Sequence, residues 1–265
     1  MRGLKLIHVI SLGLLLSGSV LAQQGAPDFA KLEKSMMPVS EGLYASKYEV
    51  NNAEYNFFLR SMRLTNKLST YHKCRYDSML WVTAISSGFN EMMKNTYHSH
   101  SAFTGYPVVN ISHEGAKAYC EWLSEHYNTN PERKYKKVVF RLPMEAEWLA
   151  AADGDASTGL PWGNAPMCDE KKKCKANIKL RNSKDPSKAD YGGDGGFQSV
   201  HVESYTPNAN GLFNIIGNVS EMTAEAGKAK GGNWDSYLEE CLVNETQTLQ
   251  KDPRLGFRVF MEVLD

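Results

Sequence analysis

Three glycine-centred stretches near the C-terminus decide how this chain is read: NGLFNIIGNVSEMT (Asn210–Thr223), AKGGNWDS (Ala229–Ser236) and RLGFRVF (Arg254–Phe260). Glycine set this often among apolar residues marks backbone with unusual angles or very close packing. None of the three has the strand–GxxxxGK–helix pattern of a phosphate loop. A single cysteine, Cys241, follows the second of them.

Moving towards the N-terminus, residues 177–197 are rich in Asn, Asp and Gly and show little hydrophobic periodicity. Within them DYGGDGGF (Asp190–Phe197) can hold a cation through Asp190 or Asp194 and backbone carbonyls. Such an all-oxygen set suits calcium, and a plain glycine loop is the alternative. Cys168 and Cys174 flank the hydrophilic stretch DEKKK, a spacing that predicts a local, loop-closing disulfide. It does not fit a zinc knuckle. The total of five cysteines is odd, so at least one is free or pairs with another molecule.

Further upstream the helical signals are clearer. Asn51 or Asn52 can cap a helix in which Tyr55, Phe58, Leu59 and Met62 form an inner stripe. LYASKYEV (Leu43–Val50), just before it, alternates like a strand. PVVNIS (Pro107–Ser112) reads as a strand, and Ser112 can cap the next helix, whose inner face is Ala116, Tyr119, Cys120, Leu123 and Tyr127. VVFRLP leads into a third helix with Pro143 in its first turn. Residues 63–105 have aromatics but no sustained period. His98 and His100 can share a strand face as metal ligands, but with no third ligand nearby they read as part of a surface loop.

At the start of the chain, residues 1–22 read as a signal peptide: Arg2 and Lys5, an apolar stretch from about Leu6 to Leu21, and Val20 and Ala22 before a cleavage point at Gln23. No cysteine stands there to carry a lipid. The expectation is an exported chain, periplasmic or secreted, with no transmembrane segment after cleavage, a loose arm over 23–42 and one domain over 43–264. Removing Arg2 and Lys5 from a chain with 30 basic and 30 acidic residues leaves a net charge of −2. That balance excludes a general nucleic-acid binder.

Seven stretches, in order, resemble the formylglycine-generating enzyme, or sulfatase-modifying factor, family. They are YASKYEVNNAEYNFFL (Tyr44–Leu59), PVVNISHEGAKAYCEWL (Pro107–Leu123), FRLPMEAEWLAAADG (Phe140–Gly154), LPWGN (Leu160–Asn164), NGLFNIIGNVSEMT, AKGGNWDS and GFRVF (Gly256–Phe260). The resemblance implies an α+β, C-type-lectin-like fold with much irregular loop structure. It also implies calcium sites, one from Asn177, the Ile178 carbonyl and Asp190 or Asp194, and another from Glu221 with carbonyls around Gly217–Val219. Active members of the family are implied to bind copper through two cysteines, five residues apart, that follow the GG motif. At those two positions this chain has Ser236 and Cys241. A hydroxyl does not replace a thiolate as a soft copper(I) ligand. Ser220 and Met222 replace the tryptophans of the family's GNVWEW, and Met144 replaces the threonine of its RLPTEAEW.

These departures point to a non-catalytic member acting as a structural or binding component of the bacterial envelope, with an envelope protein or a glycan as partner. Domains resembling it occur in gliding-motility and type IX secretion machineries. Two alternatives stay open. One is an oxidase converting a cysteine of exported sulfatases to formylglycine, which needs a second thiol beside Cys241. The other is a calcium-dependent carbohydrate-binding module.

Overall fold

The structure, a computed structural model, describes residues 27–85, 90–155 and 157–264. The signal-peptide reading of residues 1–22 lies outside them. The fold is α+β, with short elements joined by long irregular loops.

The expected arm is ordered from residue 27 onwards. Asp28 accepts from the Lys31 N–H and starts helix α1 (Phe29–Ser35), which runs directly into strand β1 (Met36–Ser40). A turn at Gly42, with φ +71°, reverses the chain into β2 (Leu43–Ser46). Strand β3 (Val138–Arg141) and the final strand β10 (Phe260–Val263) complete an antiparallel sheet in the order β1-β2-β10-β3. Residues near the two ends of the chain therefore pair side by side: Phe260 opposes Ala45 and Met261 opposes Tyr44.

Helix α2 (Asn52–Leu64) begins with a capping box, in which the Glu54 N–H donates to Asn51 and the Asn51 N–H donates to Glu54. Tyr55, Phe58, Leu59 and Met62 are buried as their spacing predicts. The region without periodicity folds into short pieces, α3 (Leu68–Cys74), α4 (Leu80–Thr83), α5 (Asn90–Thr96) and a 3-10 turn (Ser101–Phe103). Ser112 caps α6 (His113–Thr129) through the Gly115 N–H, and the whole predicted inner face of α6 is buried. Helix α7 (Glu145–Ala152) follows β3 in the chain and packs near β1.

A second sheet has the order β8-β7-β6-β9, from β6 (Ser220–Met222), β7 (Lys228–Lys230), β8 (Gln247–Thr248) and β9 (Leu255–Gly256). Three of its four strands, β6, β7 and β9, come from the glycine-centred stretches or their edges. A small ladder joins β4 (Leu180–Arg181) to β5 (Ala189–Asp190). The apolar interior has three parts. One lies between α2, α6 and β3; one surrounds Trp148, Ile215, Ile216 and Cys241; and one surrounds Trp81, Tyr97, Val219 and Trp234.

Several expectations need correction. LYASKYEV is a strand only to Ser46; beyond it the backbone makes single bonds to other segments, from Lys47 N to Ser35 O and from Val50 N to Phe257 O. PVVNIS is not a strand: Pro107 makes an isolated bridge to Asn51, and Asn110 takes a left-handed conformation at φ +61° that ends any ladder. Pro143 precedes α7, with Met144 at the N-cap. His98 is in no surface loop. It is buried, stacks on Tyr76 with ring centroids 3.9 Å apart, and bonds the Val109 carbonyl through Nε2. Burial pushes its pKa down to about 4, so it is a neutral core residue. His100 instead accepts from the Ala102 N–H at the start of the 3-10 turn.

Candidate functional site

The positions that the family resemblance marks for chemistry lie on one tight turn leaving β7. Gly231 and Gly232 both have positive φ, +86° and +68°. A Cβ on Gly231 would sit 2.6 Å from the Ile215 carbonyl oxygen, and one on Gly232 would run into the Cys241 sulfur. Glycine is required at both on conformational and steric grounds. The turn is tied to the NGLFNIIGNVSEMT stretch: the Asn233 side chain donates to Ser220 Oγ at 3.0 Å, and the Trp234 N–H donates to the Asn218 carbonyl at 3.0 Å.

Ser236 and Cys241 do come together at the end of this turn. Cys241 has no exposed surface and its sulfur lies 3.3 Å from the Tyr237 carbonyl oxygen. Burial pushes its thiol up to about 12, and Glu240 adds to the shift; contacts with the Asn233 backbone and the Ser236 hydroxyl only partly offset this. At neutral pH the sulfur is a thiol rather than a thiolate nucleophile. The other free cysteines, Cys74 and Cys120, belong to the interior between α2 and α6, whereas Cys241 belongs to the one around Trp148. The donor set at the turn is one hydroxyl and one thiol, which does not fit the two-thiolate copper(I) site that the resemblance implies. Cys168 and Cys174 form the predicted disulfide across the DEKKK loop.

The residues expected around calcium divide into two places. Asn177, Ile178 and Asp194 are together. The Ile178 N–H donates to Asp194 Oδ2 at 2.6 Å and the Gly196 N–H to Oδ1 at 3.0 Å. Asn177 Nδ2 donates to the Gln198 carbonyl at 2.9 Å. A Cβ on Gly196 would come within 2.7 Å of Asn177 Oδ1. Asp194 is buried, its pKa is raised to about 6 by burial, and nearby Asp190 adds to the shift. Asp194, Asp190 and the Asn177 amide oxygen are the oxygen groups of this loop that a hard cation would take, and both Asp194 oxygens already accept backbone N–H bonds.

Glu221 is elsewhere and already committed. Both its oxygens accept from Arg258, at 2.6–3.1 Å, and Oε2 also accepts from Trp148 Nε1 at 2.8 Å. Gly217 and Val219 lie beside it in sequence but serve packing. Gly217, at φ +79°, leaves room for the Asn177 backbone, and Val219 is fully buried. A guanidinium occupies the cation position that the resemblance implies for calcium, so this second set does not fit the metal.

That guanidinium is the centre of an arrangement that local sequence patterns do not reveal. Arg258 also donates to the carbonyls of Ser46 and Phe213, both at 2.7 Å. A second buried carboxylate, Glu49, lies near it and accepts from Asn214 Nδ2 at 3.1 Å and Asn218 Nδ2 at 2.8 Å. Burial, chiefly, raises the Glu49 pKa to about 8, against the pull of Arg258. Also unanticipated is a charged surface over the turn: Lys179 and Arg181 stand on the Tyr237 ring at 4.5 and 4.2 Å, and Asp235 is bonded by Lys179, Arg254 and the Tyr191 hydroxyl.

Comparison with known proteins identifies the family and the fold. The chain is 28% identical over 204 residues to the formylglycine-generating enzyme of Mus musculus, covering 70% of this chain and 49% of that protein. It is 29% identical over 207 residues to the inactive C-alpha-formylglycine-generating enzyme 2 of Bos taurus, covering 74% and 60%. The chain thus spans about half the length of the mouse enzyme. Among solved structures, PvdO from Pseudomonas aeruginosa matches with a TM-score of 0.54 at 18% identity, covering 83% of this chain and 80% of that one. CarF matches with a TM-score of 0.51 at 19% identity, covering 84% and 87%. At such identities these two establish the fold alone. The sequence profile of the sulfatase-modifying factor enzyme 1-like domain matches residues 12–263, and the chain belongs to that family.

Proposed function

We propose that this chain is an exported member of the family that does not use copper and serves as a structural or binding component of the bacterial envelope. One observation carries the reading: the turn after β7 keeps its glycines and its packing, but holds Ser236 beside a buried Cys241 with no second thiol in the same interior. Among the described residues no helix is long and apolar enough to cross a membrane. The calcium reading is kept for one set only. Asn177 and Asp194, with Asp190 beside them, would hold the ion, which would neutralise a buried carboxylate and order the loop over residues 177–197.

The test is copper(I) titration of the reduced protein, with oxygen uptake followed in the presence of a cysteine-containing sulfatase peptide. The expected result is no stoichiometric copper and no aldehyde in the peptide. One bound copper per chain together with oxygen consumption would overturn the proposal in favour of the oxidase. Elemental analysis of the same sample reads calcium, expected at no more than one ion per chain.

A further inference from the structure

A cavity with polar groups converging on it is remote from the Ser236–Cys241 turn and takes no part in the function just proposed. It has a volume of about 490 Å³ and lies between α1 and the segment joining β2 to α2. Leu32, Val50, Leu123 and Val259 supply apolar wall, while Asp28, Lys31, His201 and Glu203 also line it. Glu49, Glu54 and Tyr119 are three further lining groups. A concave site of this size, mostly apolar with a few convergent polar groups, is the ordinary form of a small-molecule site.

The polar groups specify the ligand. The Tyr119 side chain is only 4% exposed, yet its hydroxyl makes no hydrogen bond to any described residue. Glu54 accepts one bond, from the Asn51 N–H at 3.0 Å on Oε2, and the structure gives Oε1 no donor among the described residues. The two groups are close enough to interact electrostatically, and each opens on the same cavity. The nearly buried phenol of Tyr119 and the second oxygen of Glu54 present acceptors, and Asp28, Glu54 and Glu203 outnumber the cationic Lys31 on the lining. We propose that this cavity binds a small organic ammonium, its charged head held by Glu54 and Tyr119 and its alkyl body against Leu32, Val50, Leu123 and Val259. Burial raises the Glu54 pKa, and the Asn51 N–H and then Lys31 partly offset this. Lys31 is therefore the chain's own competitor for the position.

Isothermal titration calorimetry of the purified protein at pH 7.5 tests the assignment, with n-hexylammonium as the probe and n-hexanol and hexanoate as neutral and anionic analogues. The ammonium is expected to bind one to one, with both analogues weaker by about tenfold or more. Glu54→Gln, which keeps an acceptor for the Asn51 N–H and so the helix cap, should weaken the ammonium by about tenfold. Tyr119→Phe keeps the ring packing and should weaken it by a smaller factor, and Lys31→Met should tighten it. Absence of binding up to 10 mM ammonium (about the weakest affinity worth calling a site), equal affinity for hexanol, or full affinity in a folded Glu54→Gln protein would each overturn the proposal.

Discussion

The buried cluster of Glu49, Arg258 and Glu221 and the turn from Gly231 to Cys241 sit on neighbouring strands, since Glu221 on β6 pairs with Lys230 on β7. They differ in what has been kept. In the cluster every charged group has partners, and those partners come from β2, the NGLFNIIGNVSEMT stretch and the GFRVF stretch at once. In the turn two glycines set the backbone geometry, and the side chains at the two marked positions are one hydroxyl and one buried thiol. The scaffold and the reacting groups are separable: glycines and a buried ion pair hold the loops whether or not the loops do chemistry.

The sharpest way to break this comparison is at Arg258. Arg258→Met keeps much of the aliphatic volume and leaves two buried carboxylates without their cation. It should cost about 3–5 kcal/mol in urea unfolding. Adding Glu221→Gln should recover part of the loss. A cost below about 1 kcal/mol would show that the cluster does not hold the two sheets together.

The same cluster predicts a pH dependence. The folded-state pKa of Glu49 is about 8, against an ordinary value of 4.5. Between those values the folded protein retains a proton that the unfolded chain releases, so stability falls as pH rises from about 5 to about 8. Above that range both states are ionised and the contribution is constant. Asp194, raised to about 6, acts with the same sign over the lower part of the window. The informative quantity is therefore the difference between the wild type and Glu49→Gln, followed by urea midpoints at pH 5, 6.5 and 8. The variant should show a shallower decline; an unchanged slope would mean that Glu49 is ionised throughout.

Which of these features sequence could show follows from the range of the interactions. The caps at Asn51 and Ser112, the inner faces of α2 and α6 and the Cys168–Cys174 pair are local, and all were legible. The ordered motifs made the family legible too, and with it the positions of Ser236 and Cys241. The Arg258 contacts span 37 to 212 residues and leave no periodic trace. His98 looked like a loop residue because its partners, Tyr76 and Val109, lie outside its own helix and turn. Glu221 looked like a metal ligand because nothing in its local sequence reveals a guanidinium arriving from residue 258.

A smaller effect is expected in the turn itself. Gly232→Ala meets both a left-handed backbone and the side chain and backbone of Cys241, and should cost about 2–4 kcal/mol. Gly227→Ala is the control. Its φ of +85° is as unfavourable, but an added Cβ meets nothing within 4 Å, so only about 1–2 kcal/mol is expected. The difference between the two measures how tightly the turn is still packed on its remaining cysteine. Equal losses would mean that the turn no longer depends on Cys241.

The smallest effect sharpens the comparison at a third place where a family residue is gone but its setting remains. Met144 occupies the N-cap of α7 with extended backbone, φ −66° and ψ 154°, and its side chain makes no capping bond. The reciprocal half of the box survives: the Met144 N–H donates to Glu147 Oε2 at 2.7 Å, and Glu147 is fixed further by two bonds from Arg141 at 2.7 Å each. Because Glu147 is already immobilised, a hydroxyl at position 144 needs only to reach the Glu147 N–H. The methionine side chain is 57% exposed, so replacing it sacrifices little packing. Met144→Thr should raise stability by about 0.5–1 kcal/mol in urea unfolding. A loss instead would show that the Met144 side chain does more for the surface formed with Cys120, Phe140 and Ala224, which line the same shallow pocket, than a cap does for the helix.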